Sequence, residues 1–176
     1  MERGLPIYLK TALHFKQNHQ SLKMLIIGEF RNKSTEKIYH NFVIHHQLSD
    51  YVTHIPYVPH TDVLKEISKA KIGLFFADIE KSPRYDKAVN MKIFEYFSQG
   101  IPVIISDLTM LSDYVIKSEA GWIVKYDSYE LYNLLQDILH DDNLLKQKGL
   151  KGYEYVQNNH LWEHVELLLY KAVFGE

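Results

Sequence analysis

Four polar residues in NMKIFEYFSQGIPVII, residues 90–105, stand at helical spacing. Lys92, Glu95, Tyr96 and Gln99 fall at i, i+3, i+4 and i+7 and share one helical face. A lysine in the first turn sits at the positive end of the macrodipole, where an acidic side chain would be favoured. A bound phosphate reverses that cost, because the helix N-terminus offers free backbone N–H groups and Lys92 adds a second anion contact. Glu95, one turn on, can accept hydrogen bonds from paired hydroxyls such as those of ribose. A phosphate and a sugar ring about one helical turn apart describe a nucleotide. The plainer alternative is a solvated Lys92–Glu95 pair contributing about 0.2–0.5 kcal/mol.

Other residues that could carry chemistry are weaker candidates. His160-Leu-Trp-Glu163-His164 matches the H-x-x-E-H zinc-protease pattern, which makes a zinc hydrolase one alternative. A working site needs a third ligand and a cleft, and the same helix carries a packing stripe of Trp162, Val165 and Leu169. Asp78 follows an apolar strand, as a receiver-domain phosphoacceptor would, but Gly28-Glu29 and Lys125 imitate the remaining receiver residues only loosely. Arg84 could reach an anion from a long loop, or stay solvated. His45 and His46 suit the negative end of a helix, and neither standard Gly-rich phosphate loop is present.

The elements that must position these residues are legible along the chain. Pro6 to about Asn18 reads as a helix with proline near its first position. Apolar runs at Met24–Ile27, Val52–Ile55, Ile72–Phe76, Pro102–Ser106 and Gly121–Val124 read as strands. Between them lie a helix capped by Ser34 and reaching about His46, a helix from Thr61 to about Lys69, the Lys92 helix and a short helix over Met110–Ile116. Leu131, Leu134, Leu135, Ile138 and Leu139 form an amphipathic stripe, and helices over about Asn143–Gln157 and Leu161–Val173 complete the chain. Short, continuously apolar strands separated by helices imply an α/β fold with a doubly wound parallel sheet. Ligands in such sheets bind beyond the carboxyl ends of the strands. The fourteen-residue loop Ala77–Asn90 is long for such a connection, and it delivers the chain to the Lys92 helix.

Composition narrows the classes. The chain has 176 residues, suited to one domain, and its hydrophobic fraction of 46% supports a sizeable core. A formal charge of −2 gives no footprint for nucleic acid. The absence of cysteine removes disulfides and thiolate sites and fits a cytoplasmic setting. No apolar run approaches a membrane span.

The collinear set of segments resembles glycosyltransferase family 4, retaining enzymes of the GT-B fold, in the C-terminal nucleotide-sugar domain. RGLPIYLKTALHF resembles its "K/R-G, then helix" segment and LKMLIIGEF the following strand ending in glycine. VTHIPYVPHTDVLKEISKAKIGLFF resembles "V-x-F-x-G-x-V, then helix, then A-D-V". NMKIFEYFSQGIPVIISD resembles "P-x-K-x-x-E-Y-x-x-x-G-x-P-V-I". AGWIVKYDSYELYNLL resembles "G-x-L-V-x-x-x-D-x-x-x-L", and HLWEHVELLLY the final "W … Y" helix.

This resemblance implies a Rossmann-like half of a GT-B fold with C-terminal helices. It implies a hexosyltransferase of polysaccharide biosynthesis that uses a UDP- or GDP-type sugar donor, without a metal or other cofactor. By position, Glu95 would bind the ribose hydroxyls, and Asn90 and Met91 with Lys92 would meet the diphosphate or the sugar. Tyr57 and Val58 would lie against the base, and Arg3 would neutralise the diphosphate. Lys92 and Arg3 would then be the catalytic cations, acting where charge builds on the leaving group.

Three departures qualify the match. Lys87 stands where the family's first glutamate is usual, with Asp86 a possible substitute, and Pro56 replaces a glycine near the base. The strand normally preceding Arg3 and the N-terminal domain for a saccharide or lipid-linked acceptor are not in the sequence. The fragment alone is therefore expected to be inactive, and the longer protein could be peripheral to a membrane. A non-catalytic nucleotide-binding or interaction module of the same fold, a homodimer across an exposed sheet edge, is the alternative.

Overall fold

The computed structural model describes residues 4–175. Helix α1 (Leu5–Gln17) starts at Gly4, whose φ of 74° suits glycine and whose Cα lies against Phe76 and Tyr8, where a side chain would collide. Strand β1 (Met24–Ile27), α2 (Lys33–His45), β2 (Val52–Ile55) and α3 (His60–Ile67) follow. Then come β3 (Gly73–Phe75), a 3₁₀ turn at Pro83–Tyr85, α4 (Met91–Ser98), β4 (Val103–Ser106) and α5 (Thr109–Ser118). Strand β5 (Gly121–Val124), α6 (Ser128–Ile138), α7 (Asp142–Asn159) and α8 (Trp162–Phe174) end the chain.

All strand pairs are parallel, as the unbroken apolar runs imply. Alternate residues of the β3–β4–β5 sheet feed opposite faces. Phe75, Val103 and Ile105 pack with Ile93 and Phe97 of α4, Leu111 and Val115 of α5, and Val156 of α7. Phe76 and Ile104 pack with Ile7 and Phe15 of α1 and Leu131 and Leu135 of α6. Every residue of β4 is at most 1% exposed, and burying each of its three aliphatic side chains favours folding by about 1.5–3 kcal/mol. The α/β expectation therefore holds, with helices on both faces.

Three details differ from the sequence reading. Hydrogen bonding runs through two parallel sheets, β1–β2 and β3–β4–β5, with no ladder joining β1 to β3. The β3 edge facing away from β4 is met instead by phenols: the Phe76 N–H donates to the Tyr8 hydroxyl at 2.9 Å, and the Leu74 main chain bonds the Tyr96 hydroxyl. Burial pushes both phenols up from their ordinary pKa.

Helix α2 is capped by Asn32, whose Oδ1 accepts the Thr35 N–H at 2.8 Å, not by Ser34. Helix α3 starts one residue before Thr61, where the Pro59 carbonyl accepts the Asp62 and Val63 N–H groups. A proline with φ of −53° already has the dihedral that leads into a helix.

Helix α7 is held against the loop before β4 by two glycines. A Cβ on Gly149 would run into the Gly100 carbonyl, and one on Gly152 would press on the Phe97 ring. Backbone cannot yield as a side chain can. Gly149→Ala should therefore lower the unfolding free energy by about 1–3 kcal/mol in urea melts, despite alanine's better helix propensity.

Candidate functional site

Helix α4 is the part of the site built most firmly. Ile93 and Phe97 are fully buried on one side. Tyr96 lies over Gly73 of β3, where any Cβ would strike its ring. Tyr96 is thus a seat for the helix, not one of its solvated polar residues. With those three residues anchored, Lys92 and Glu95 turn into a cleft of about 1780 Å³.

The cleft runs the length of β1 and β3, from Lys23 and Lys71 ahead of the strands to Gly28 and Glu29 beyond β1. Gly28 and Glu29, just beyond β1, line it with Arg31, Arg84, Lys92 and Glu95. Gly28 has φ of 118°, a conformation that favours glycine, and its carbonyl accepts from His54 Nε2 at 2.7 Å. Arg31 and Arg84 also share a smaller adjoining depression of about 350 Å³ with Lys81. Several cations in one wall, with the carboxylates of Glu29 and Glu95 among them, can receive a polyanion that also carries hydroxyls.

The long loop Ala77–Asn90 is held by specific bonds. Its first N–H, of Ala77, donates to Ser106 Oγ at 3.0 Å. Asp78 accepts from the Lys81 main chain and ammonium, which hold its carboxyl below the usual range, Lys81 Nζ first. Asp78 is thereby committed to a turn. Asp86 Oδ1 accepts the Thr109 N–H at 2.9 Å at the start of α5, which holds that carboxyl low as well. Asp86, the possible substitute for the first glutamate, is occupied by the neighbouring helix. This tether places Arg84 in the cleft, resting 5.2 Å from the Tyr85 ring centroid.

The remaining sequence candidates are distributed unevenly. Asn90 is the α4 N-cap, and its Oδ1 accepts the Lys92 N–H at 3.1 Å. One first-turn amide expected at the phosphate is therefore already bonded. Met91 is exposed, and neither Asn90 nor Met91 lines the cleft. Tyr57 is 73% exposed, and Tyr57 and Val58 lie outside the cleft wall, to which Val63 of α3 does belong. Glu95 Oε1 lies 3.1 Å from His60 Nε2. Arg3 lies outside the described residues.

Sequence reasoning passed over Arg31 and treated Gly28 and Glu29 only as a strand end and a loose match to a receiver domain. The signal was available: an apolar strand ending in glycine, then charged residues, at the carboxyl edge where α/β sheets bind ligands. Among the described residues no three His, Asp or Glu side chains come together as a metal set. His160 packs against the rings of Phe94, Tyr114 and Tyr155.

Comparison with known proteins decides the family. Residues 2–155 match the family described as glycosyl transferases group 1. The chain belongs to this family. No curated protein sequence matches it. Among solved structures it is similar to a sucrose-phosphate synthase from Thermosynechococcus elongatus, with a TM-score of 0.77 and 24% identity over 98% of this chain and 44% of that one. It is also similar to the Anabaena protein HepE, solved with UDP and glucose, with a TM-score of 0.80 and 12% identity over 98% of this chain and 45% of that one. A C-terminal domain of a glycosyl transferase group 1 protein from Francisella tularensis matches with a TM-score of 0.74 and 15% identity, over 90% of this chain and 80% of that domain. These likenesses establish a shared fold, and the chain spans less than half of the first two proteins. No helix among the described residues is long and apolar enough to cross a membrane.

Lys92 offers a direct test of the cleft as an anion site. Lys92→Ala should weaken binding of a nucleoside diphosphate about tenfold while leaving the corresponding nucleoside unchanged in calorimetric titration. Equal losses for both would remove Lys92 from the diphosphate.

Proposed function

We propose that this chain is the donor-binding, C-terminal half of a retaining GT-B glycosyltransferase of family 4. The observation that carries the reading is the cleft along β1 and β3, whose wall includes Lys92, Arg84, Arg31 and Glu95. The cations suit a diphosphate and the carboxylate suits a ribose diol, which fits a nucleoside diphosphate sugar of the UDP or GDP type that the family resemblance implies. Charge that develops on the departing diphosphate would be stabilised by Lys92, with Arg3 in the same role, and donors already in place act without reorganising. No metal is needed for that chemistry, because side-chain cations supply the charge.

The transferred group is a hexosyl unit, and the acceptor is a saccharide or lipid-linked saccharide held by a separate N-terminal domain, in cytoplasmic polysaccharide synthesis. HepE, solved with UDP and glucose, supports the donor class by analogy of fold. A further strand between β1 and β3 belongs to the same reading. Both strands border the cleft without a ladder between them, and the Tyr8 hydroxyl now on the Phe76 N–H occupies a position that a strand carbonyl would take. On this account the isolated chain binds donor and does not transfer sugar.

One observation favours a second reading, an interaction module. Helix α8 exposes Trp162, Leu169 and Val173 at i, i+7 and i+11, beside exposed Tyr170 and Phe174, an apolar surface of the kind that docks a partner. Calorimetric titration with UDP, GDP and ADP, with Glu95→Ala alongside, separates the two. The donor reading predicts saturable binding of one nucleotide, weakened at least tenfold in the variant. Absence of binding together with concentration-dependent self-association in sedimentation would favour the module.

A further inference from the structure

Glu95 is paired with a residue from outside the cleft wall. Helix α3 opens at His60, directly after the Pro56–Pro59 connection, and its side chain reaches across to α4. His60 Nε2 lies 3.1 Å from Glu95 Oε1, with the two side chains 66% and 28% exposed. An ionised carboxylate can only accept, so Nε2 carries the hydrogen. The contact engages one carboxylate oxygen, and a carboxylate has about four acceptor positions. An exposed contact of this kind adds little to folding. What it does supply is orientation, since a glutamate with three rotatable side-chain bonds is otherwise spread over many rotamers.

We propose that His60 is a positioning residue that fixes the Glu95 carboxylate for a vicinal diol, and so sets a preference for ribonucleoside over 2′-deoxyribonucleoside diphosphates. The proposal rests on the nucleotide reading of the cleft. His60 engages Oε1 and leaves the rest of the carboxylate to accept from adjacent hydroxyls. It also ties the start of α3 to the helix that carries Lys92. A ligand bound there meets a carboxylate already aimed, and does not have to order it on arrival.

The test is titration calorimetry on the 176-residue chain, pairing UDP with 2′-deoxy-UDP and GDP with 2′-deoxy-GDP. The wild type should prefer the ribose form of the nucleotide it binds, and Glu95→Ala should bind both forms equally. His60→Ala should lose about five- to tenfold toward the ribose form only, with its melting temperature unchanged because the residue is exposed. His60→Gln, which places an amide N–H near the Nε2 position, should recover most of the preference. A His60→Ala variant that keeps the full preference, or that weakens both forms alike, overturns the positioning role while leaving the nucleotide site intact. Failure of every nucleoside diphosphate to bind the wild type would instead remove the nucleotide reading, and this role with it.

Discussion

The seating of α4 on β3 is the constraint on which the rest of the site depends. Gly73 has no side chain, so the Tyr96 ring can lie directly on the strand, and Ile93 and Phe97 fill the space behind it. On a helix, three anchored residues leave the others no rotational freedom. Lys92 and Glu95 are therefore directed into the cleft by packing that involves neither of them. Glycines at 149 and 152 extend the same logic outward by letting α7 close on Gly100 and Phe97.

A second constraint comes from the loop ahead of α4. Its length, unusual between a strand and a helix, is offset by bonds at both ends, to Ser106 near the start and to Thr109 and Met110 near the close. The tether brings Arg84 to the cleft wall beside Lys92. Basic residues from two connections and one helix thus line a single cleft, although the chain as a whole carries a slight negative charge. Local convergence of charge, and not net charge, is what such a pocket needs.

Much of this was legible in the sequence, for physical reasons that can be named. Strands β1, β2 and β5 fall on the expected residues because their apolar runs are bounded sharply by glycine, proline or charge. The Lys92–Glu95 face was legible because helical spacing is geometric. Helix starts were less so: Asn32 takes the cap expected of Ser34, since the two residue types cap almost equally well, and α3 begins after Pro59 without any side-chain cap. The split into two sheets depends on which edges meet, and the Tyr8–Phe76 contact spans 68 positions. The engagement of Asp86 by α5 and of Glu95 by His60 are likewise tertiary facts with no local pattern. Base-side residues Tyr57 and Val58, assigned by resemblance alone, lie outside the cleft wall.

The central claim is that the cleft beside α4 receives a nucleoside diphosphate, and amide chemical shifts measured during titration with UDP and GDP test it most directly. The account predicts saturable shifts at Gly28, Arg84, Lys92 and Glu95 for one of the two nucleotides, with α8 unaffected. Shifts confined to α8 and the α7–α8 junction, or none at millimolar nucleotide, would contradict it.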